Sequence, residues 1–217
     1  MRLFAILIFI LLASLSNAFG QALDISSGGV PSISGTLSGY VTGSSSVLNN
    51  LTVTVNFGEV SPLNTSNIVK VTVPVAVRSN QAYKVVATVT GGTNANAQAI
   101  QRTDIGFGIT NWRAMGSNSR VCTNSSHIFY TPFNNDPSTN VTTNATGRVV
   151  YTSDLSDIGS SATILSGPRL SNGNNNRQNN DGYIFDAIFT LTPQFFATGS
   201  TTAVLTLTIS AGPTAPC

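Results

Sequence analysis

Val69-Lys70-Val71-Thr72-Val73-Pro74-Val75-Ala76-Val77 sets a valine at every second position. Successive side chains on a strand point to opposite faces, so this run predicts a strand with one buried, β-branched side. Pro74 has no N–H for a ladder, and the strand is therefore expected at a sheet edge or to carry a bulge. The same period recurs along the chain. Leu51, Val53, Val55 and Phe57 alternate with Thr52, Thr54 and Asn56, and Tyr83, Val85, Ala87 and Val89 follow the same rule. Ile105, Phe107 and Ile109 alternate with Gly106 and Gly108, and a short run occupies Arg148–Tyr151. Tyr183, Phe185, Ala187, Phe189 and Leu191 form another series, and Ala203, Leu205, Leu207 and Ile209 the last.

Between the runs lie Gly91-Gly92-Thr93-Asn94, Asn134-Asn135-Asp136-Pro137 and Asn172-Gly173-Asn174-Asn175-Asn176. Gly and Asn tolerate positive φ, and Asx side chains close turns, so these read as turns or exposed loops. No stretch combines a 3.6-residue period with caps. Short alternating strands separated by such turns predict an all-β, antiparallel immunoglobulin-like β-sandwich with long loops, one domain over 43–217. Seven to nine strands are expected, with surface excursions at 110–147 and 166–181. Asp-Ile-Gly at 104–106 returns at 157–159, a coincidence that chance supplies.

The chain has 217 residues, 41% hydrophobic and only 8% charged, with a net charge of +2. Such a chain can bury a core, yet lacks the basic patch that nucleic-acid binding needs, so no nucleic-acid partner is expected. Met1-Arg2 precedes the apolar run Leu3–Ala13, and small residues at minus three and minus one occur in Ser16-Asn17-Ala18 and Gly20-Gln21-Ala22. Residues 1–22 are read as a cleaved signal peptide, which predicts a secreted or cell-surface protein, routed through the periplasm if the host is Gram-negative. Every later apolar run is broken by Thr, Ser or Asn, so no membrane span is expected after cleavage. Cys122 and Cys217 are the two cysteines. In an exported chain they read most simply as a disulfide closing a loop of roughly a hundred residues, worth about 4–5 kcal/mol if unstrained. A free thiol or an intermolecular bridge are the alternatives.

Reactive groups are few. His127 is the only histidine, and its neighbours Ser125 and Ser126 lack a nucleophile-elbow pattern. The scattered carboxylates form no recognisable pair, and the loop Asn172–Asp181 holds one carboxylate without calcium-loop spacing. No catalytic residue, metal or cofactor is expected. Trp112, the single tryptophan, lies in Asn111-Trp112-Arg113. It reads as a core ring, or as a stacking platform for a sugar with Asn111 and Arg113 as donors. Gly106 and Gly108 would let another backbone or a ligand approach closely, or simply relieve crowding beside Phe107. The sequons at Asn50, Asn64, Asn124, Asn140 and Asn144 are surface markers.

Leu51-Thr52-Val53-Thr54-Val55-Asn56-Phe57-Gly58-Glu59-Val60-Ser61-Pro62, the valine strand, and Arg78-Ser79-Asn80-Gln81-Ala82-Tyr83-Lys84-Val85 together resemble bacterial exported β-sandwich proteins of the pilin and spore-coat-U-like type. The Thr-rich stretch Thr201–Ser210 resembles their last strand, and the likeness covers about half of the mature chain. The resemblance implies assembly with a periplasmic chaperone, in which an N-terminal extension fills a neighbour's sandwich by strand addition. Within residues 23–42, Ile33, Gly35, Leu37, Gly39 and Val41 alternate with Ser34, Thr36, Ser38 and Tyr40. That segment suits a donor strand, and equally suits the first strand of the protein's own sandwich. The reading is an exported, non-enzymatic structural or adhesive surface protein that self-associates into oligomers or filaments, with a secreted carbohydrate-binding module, and a glycan partner, as the alternative.

Overall fold

The computed structural model describes residues 23–35, 38–47, 49–58, 60, 68–96, 98–115, 126–170, 182–196 and 201–213. Among them the strands are β1 (Leu23–Ser27), β2 (Ser32–Ser34), β3 (Tyr40–Val47), β4 (Asn50–Asn56), β5 (Val69–Ser79), β6 (Tyr83–Gly91), β7 (Gly106–Ala114), β8 (Ile128–Phe129), β9 (Thr142–Thr143), β10 (Val149–Val150), β11 (Ala162–Gly167), β12 (Tyr183–Leu191) and β13 (Thr202–Ala211). All pairings are antiparallel. One sheet runs β1-β5-β12-β7 with β2 also on β5, the other runs β3-β4-β13-β6-β11-β8, and β9 with β10 makes a small hairpin. The chain is an all-β sandwich. The alternating apolar series face one another between the sheets: Val53, Val55, Phe57, Val71, Val73, Val75, Val85, Phe185, Phe189 and Leu207 are all fully buried.

β5 is central, not an edge. β12 pairs with it from Val69↔Leu191 to Val77↔Tyr183, while β1 and β2 follow each other along its other side. Pro74 fits because β1 and β2 break opposite it. The N–H and C=O of one strand residue point to the same side, and the Pro74 carbonyl accepts the Gly28 N–H at 2.8 Å. The N–H that proline lacks would have faced that break.

The alternation through Ile33–Val41 is not one strand. Ile33 pairs with Val71 in one sheet, and Val41 pairs with Val55 in the other. Gly35 makes the turn-off at φ 81°, where a side chain would run into the Ile68 carbonyl. The strand β11 escaped the alternation rule for a different reason. Its register shifts between Thr163 and Leu165, and the added residue Ile164 is itself buried, which breaks the period.

Of the excursion expected at the surface over 110–147, the described residues 130–147 join the segment that follows them in a second layer. Residues 130–158 pack along the β7 side of the first sheet: Tyr151 lies against Gly106 on its outer face, while Phe133, Leu155 and Ile158 join the core between the sheets, Phe133 with its ring 5.7 Å from that of Phe107. They also close the β7 edge: Ile109 N–H donates to the Phe133 carbonyl at 2.7 Å and Phe107 N–H to the Ser153 carbonyl at 3.1 Å. Gly108 is required there, since a Cβ would collide with the Asn135 carbonyl; at Gly106 it would press on Thr190 and the Tyr151 ring. The close approach that these glycines permit is that of the chain's own backbone. Lys70 clamps the layer to β5, donating from Nζ to Asp136 Oδ2 at 2.6 Å and to Ser138 at 3.0 Å.

The recurring Asp-Ile-Gly has a structural cause. Asp104 and Asp157 hold the same third position after the cap of a short 3-10 turn, Arg102–Asp104 and Leu155–Ile158, and each accepts the N–H of the residue that caps it. The isoleucines that follow or end these turns, Ile105 and Ile158, are buried, and Leu155 N–H donates to the Ile105 carbonyl at 2.9 Å. The two turns stabilise each other side by side.

Candidate functional site

Asn111 and Trp112 lie opposite the single residue Phe185, because the β7–β12 register shifts between Ile184 and Asp186. Asn111 sits at φ 55°, a left-handed conformation that asparagine tolerates better than most residues. The bulge gives the three expected ligand residues two directions. Asn111 Nδ2 donates to Asp186 Oδ2 at 2.6 Å, and Arg113 Nη2 ion-pairs with Asp186 Oδ1 at 2.9 Å, off the hydrogen-bonding line. Asp186 is thereby held, 7% exposed, on the outer face of β12. Trp112 lies on the opposite side of the strand among rings. It stacks on Tyr183 with centroids 4.6 Å apart and planes at 13°, meets Phe129 edge-on at 5.3 Å, and lies 4.8 Å from His127. His127 in turn packs over Gly167, where a Cβ would strike the imidazole. This ring cluster fills the space between the two sheets at the β7 and β8 edges. Asn111 and Arg113 are thus brought together, and Trp112 is separated from them.

A different surface carries an open groove of about 630 Å³, lined by Gln98, Thr146, Gly147, Arg148, Pro193, Gln194, Phe195 and Phe196. Three local structures build it. Gln194 follows β12, and a tight turn in which Phe196 N–H donates to the Gln194 carbonyl at 2.9 Å throws Phe195 outward, leaving it 81% exposed. The β9–β10 hairpin is organised by Asn144, whose Oδ1 accepts from the N–H of Thr146 and of Arg148, with Gly147 at φ 78° between them. On the third side, Gln101 Nε2 donates to the carbonyls of Asn94 and Asn96, which fixes the loop that presents Gln98.

The electrostatics of the groove are set from beneath. Asp104 is fully buried and accepts two bonds from Arg148, Nε to Oδ1 at 2.7 Å and Nη2 to Oδ2 at 2.5 Å. The hydrogen bond to this carboxylate raises the Arg148 guanidinium above its ordinary pKa, against the effect of burial. Gln194 Oε1 accepts the Val149 N–H at 3.1 Å, while its Nε2 is buried with no partner among the described residues. Burial likewise pushes the nearby Tyr151 phenol up, opposed by its contacts with Thr192.

The sequence reading missed this groove. Phe195 and Phe196 are adjacent at the end of a period-two series, and that was the available signal: both cannot face one core. Nothing in sequence placed Gln98 beside them. Residues 1–22, Leu37, Cys122, Cys217 and the loop Asn172–Asp181 lie outside the described residues, so the expected signal peptide and disulfide have no geometry to report. Of the proposed donor positions, Ile33 and Val41 lie in β2 and β3, and Gly35 and Gly39 lie between those strands. No three His, Cys, Asp or Glu side chains converge among the described residues, and no helix there is long and apolar enough to cross a membrane. Comparison with protein-family models, curated proteins and solved structures finds no match.

Proposed function

We propose that the chain is an exported, non-enzymatic structural or adhesive surface protein, a pilin-like subunit that assembles by strand addition. The observation that carries this reading is the placement of the N-terminal segment. β1 and β2 occupy the outer side of β5 in fixed registers, Ile25↔Val77 and Ile33↔Val71, and β3 forms the edge of the second sheet. The same segment from a second copy would meet the same partners in the same registers, so exchange between copies needs no new contact. β3 reads Tyr-Val-Thr-Gly-Ser-Ser-Ser-Val, without a charge or proline to oppose pairing along its open side. β1 comprises Leu23–Ser27, so cleavage at the expected position would keep these residues in the mature chain.

Electron microscopy and light scattering of the mature protein, with and without residues 23–42, test the reading. Filaments or oligomers from the mature chain, their loss on deletion, and capture of a synthetic 23–42 peptide by the shortened chain are expected. A mature chain that stays monomeric at every concentration overturns it.

A further inference from the structure

We propose that the groove between the β9–β10 hairpin and the Pro193–Phe196 turn binds a neutral saccharide. The inference rests on the exported adhesive reading for where such a ligand is met, and it moves sugar contact away from Trp112. Three features set the ligand class. First, Phe195 is a large aromatic side chain left 81% exposed by a hydrogen-bonded turn, and it borders the groove. A pyranose ring has an apolar C–H face that packs on such a ring. Secondly, the polar lining consists of the Gln98 and Gln194 amides, the Thr146 hydroxyl and the Arg148 guanidinium. Gln194 is fixed in the wall by its Oε1, which accepts the Val149 N–H at 3.1 Å. Gln98 is exposed at the rim, and Arg148 lines the wall with its Nε and Nη2 already committed to Asp104. Thirdly, among the described residues of the wall the one ionisable side chain is Arg148, and its charge is matched by the fully buried Asp104 at 2.5 Å. An anion would gain little from a guanidinium already paired, so the groove suits a neutral polyhydroxylated ligand.

The site is also prebuilt. The Asn144 turn, the Gln101 clamp on the Asn94–Asn96 loop and the Gln194–Val149 bond hold its three sides together without a ligand. Little ordering cost therefore falls on binding. The volume of about 630 Å³ is in the range of small-ligand sites and would hold a short oligosaccharide.

The test is an array of neutral glucose-, mannose-, galactose- and N-acetylglucosamine-based hexasaccharides, with a uronic-acid hexasaccharide for comparison, probed with the mature chain and with Phe195→Ala, Gln98→Ala and Arg113→Ala. Phe195 and Gln98 are exposed, so their variants should fold as the parent does, checked by circular dichroism and thermal midpoint. Binding of at least one neutral probe is expected, weakened about tenfold or more by Phe195→Ala, weakened also by Gln98→Ala, and unchanged by Arg113→Ala, which lies on the distant Asp186 cluster. Absence of neutral-probe binding, preference for the uronic acid, or binding that survives Phe195→Ala within twofold overturns the assignment. Filament formation is read in a separate experiment, so the saccharide site and the assembly reading can each fail alone.

Discussion

Arg148 holds the fully buried Asp104 with two hydrogen bonds, of 2.7 and 2.5 Å, and so joins the β9–β10 hairpin to the 3-10 turn that precedes β7. Asp104 also accepts the Gln101 N–H at 2.8 Å. Its carboxylate therefore has partners on two sides, and its burial depends on both. Removing the guanidinium would strand a charge inside the protein. Arg148→Met is expected to destabilise the fold by about 1–3 kcal/mol, the cost of leaving the buried Asp104 without its charged partner, moderated because the guanidinium is partly exposed. The double variant with Asp104→Asn should lose less than the sum of the single changes, because the stranded charge is then absent. Urea unfolding followed by the fluorescence of Trp112 measures both, and simple additivity would refute the coupling.

Gly108 and Gly43 should respond oppositely to alanine. At Gly108 a Cβ meets the Asn135 carbonyl, part of the backbone layer that closes the β7 edge, and the strand cannot move without opening that layer. A loss of about 2 kcal/mol or more is expected. At Gly43, on β3, the nearest atom is Pro31 Cγ at 3.8 Å, an ordinary contact, and alanine there should be neutral or slightly stabilising. Thermal midpoints of the two variants decide the matter; equal effects would contradict the role assigned to Gly108.

Lys70 and Asp136 predict an acid-sensitive clamp. Burial raises the Asp136 carboxyl pKa, but bonds from Lys70 and Ser138 outweigh it, and the net direction is down. A carboxyl lowered in the folded state stabilises the protein above its unfolded pKa of about 3.9, and that contribution disappears as pH falls through the lower folded value. The stability difference between the parent and Lys70→Met should accordingly be constant from about pH 6 to 5 and shrink below about pH 4. Urea midpoints across that range provide the measurement, and a difference independent of pH would exclude the clamp.

Asn111 combines a left-handed backbone with a bond to Asp186. Asn111→Ala loses both the tolerance of positive φ and the donor, at a cost of about 1–3 kcal/mol. Asn111→Gly loses only the donor and should be the milder change. If glycine proves as costly as alanine, the bulge imposes no backbone strain at this position. Chemical denaturation of the two variants separates these contributions.

Period-two spacing was enough to place β4, β5, β6, β12 and β13, since each has one face in the core and β-branched or aromatic residues to fill it. It failed where a strand is short, as in β8 and β9, or bulged, as in β11. It also failed around the short run at 148–151, where Phe133, Leu155 and Ile158 are spread through turn chemistry and reach the core at the β7 edge. The groove was illegible for the same reason. Gln98, Arg148 and Gln194 come from three separate loops, and no local pattern relates them.

The sequence by itself determined the fold class and which face of each long strand turns to the core, because alternation is a local property that survives any arrangement of strands; that the other face of β12 is buried as well was decided by the layer over it. The tertiary structure alone decided the neighbours. Pro74 sits in a central strand because β1 and β2 happen to part opposite it. Trp112 is enclosed by Tyr183, Phe129 and His127, while Phe195, in a stretch that reads as no less apolar, stands in solvent. The places of Pro74 and Trp112 depend on residues tens of positions away, and contacts at that range are fixed by packing rather than by any spacing along the chain.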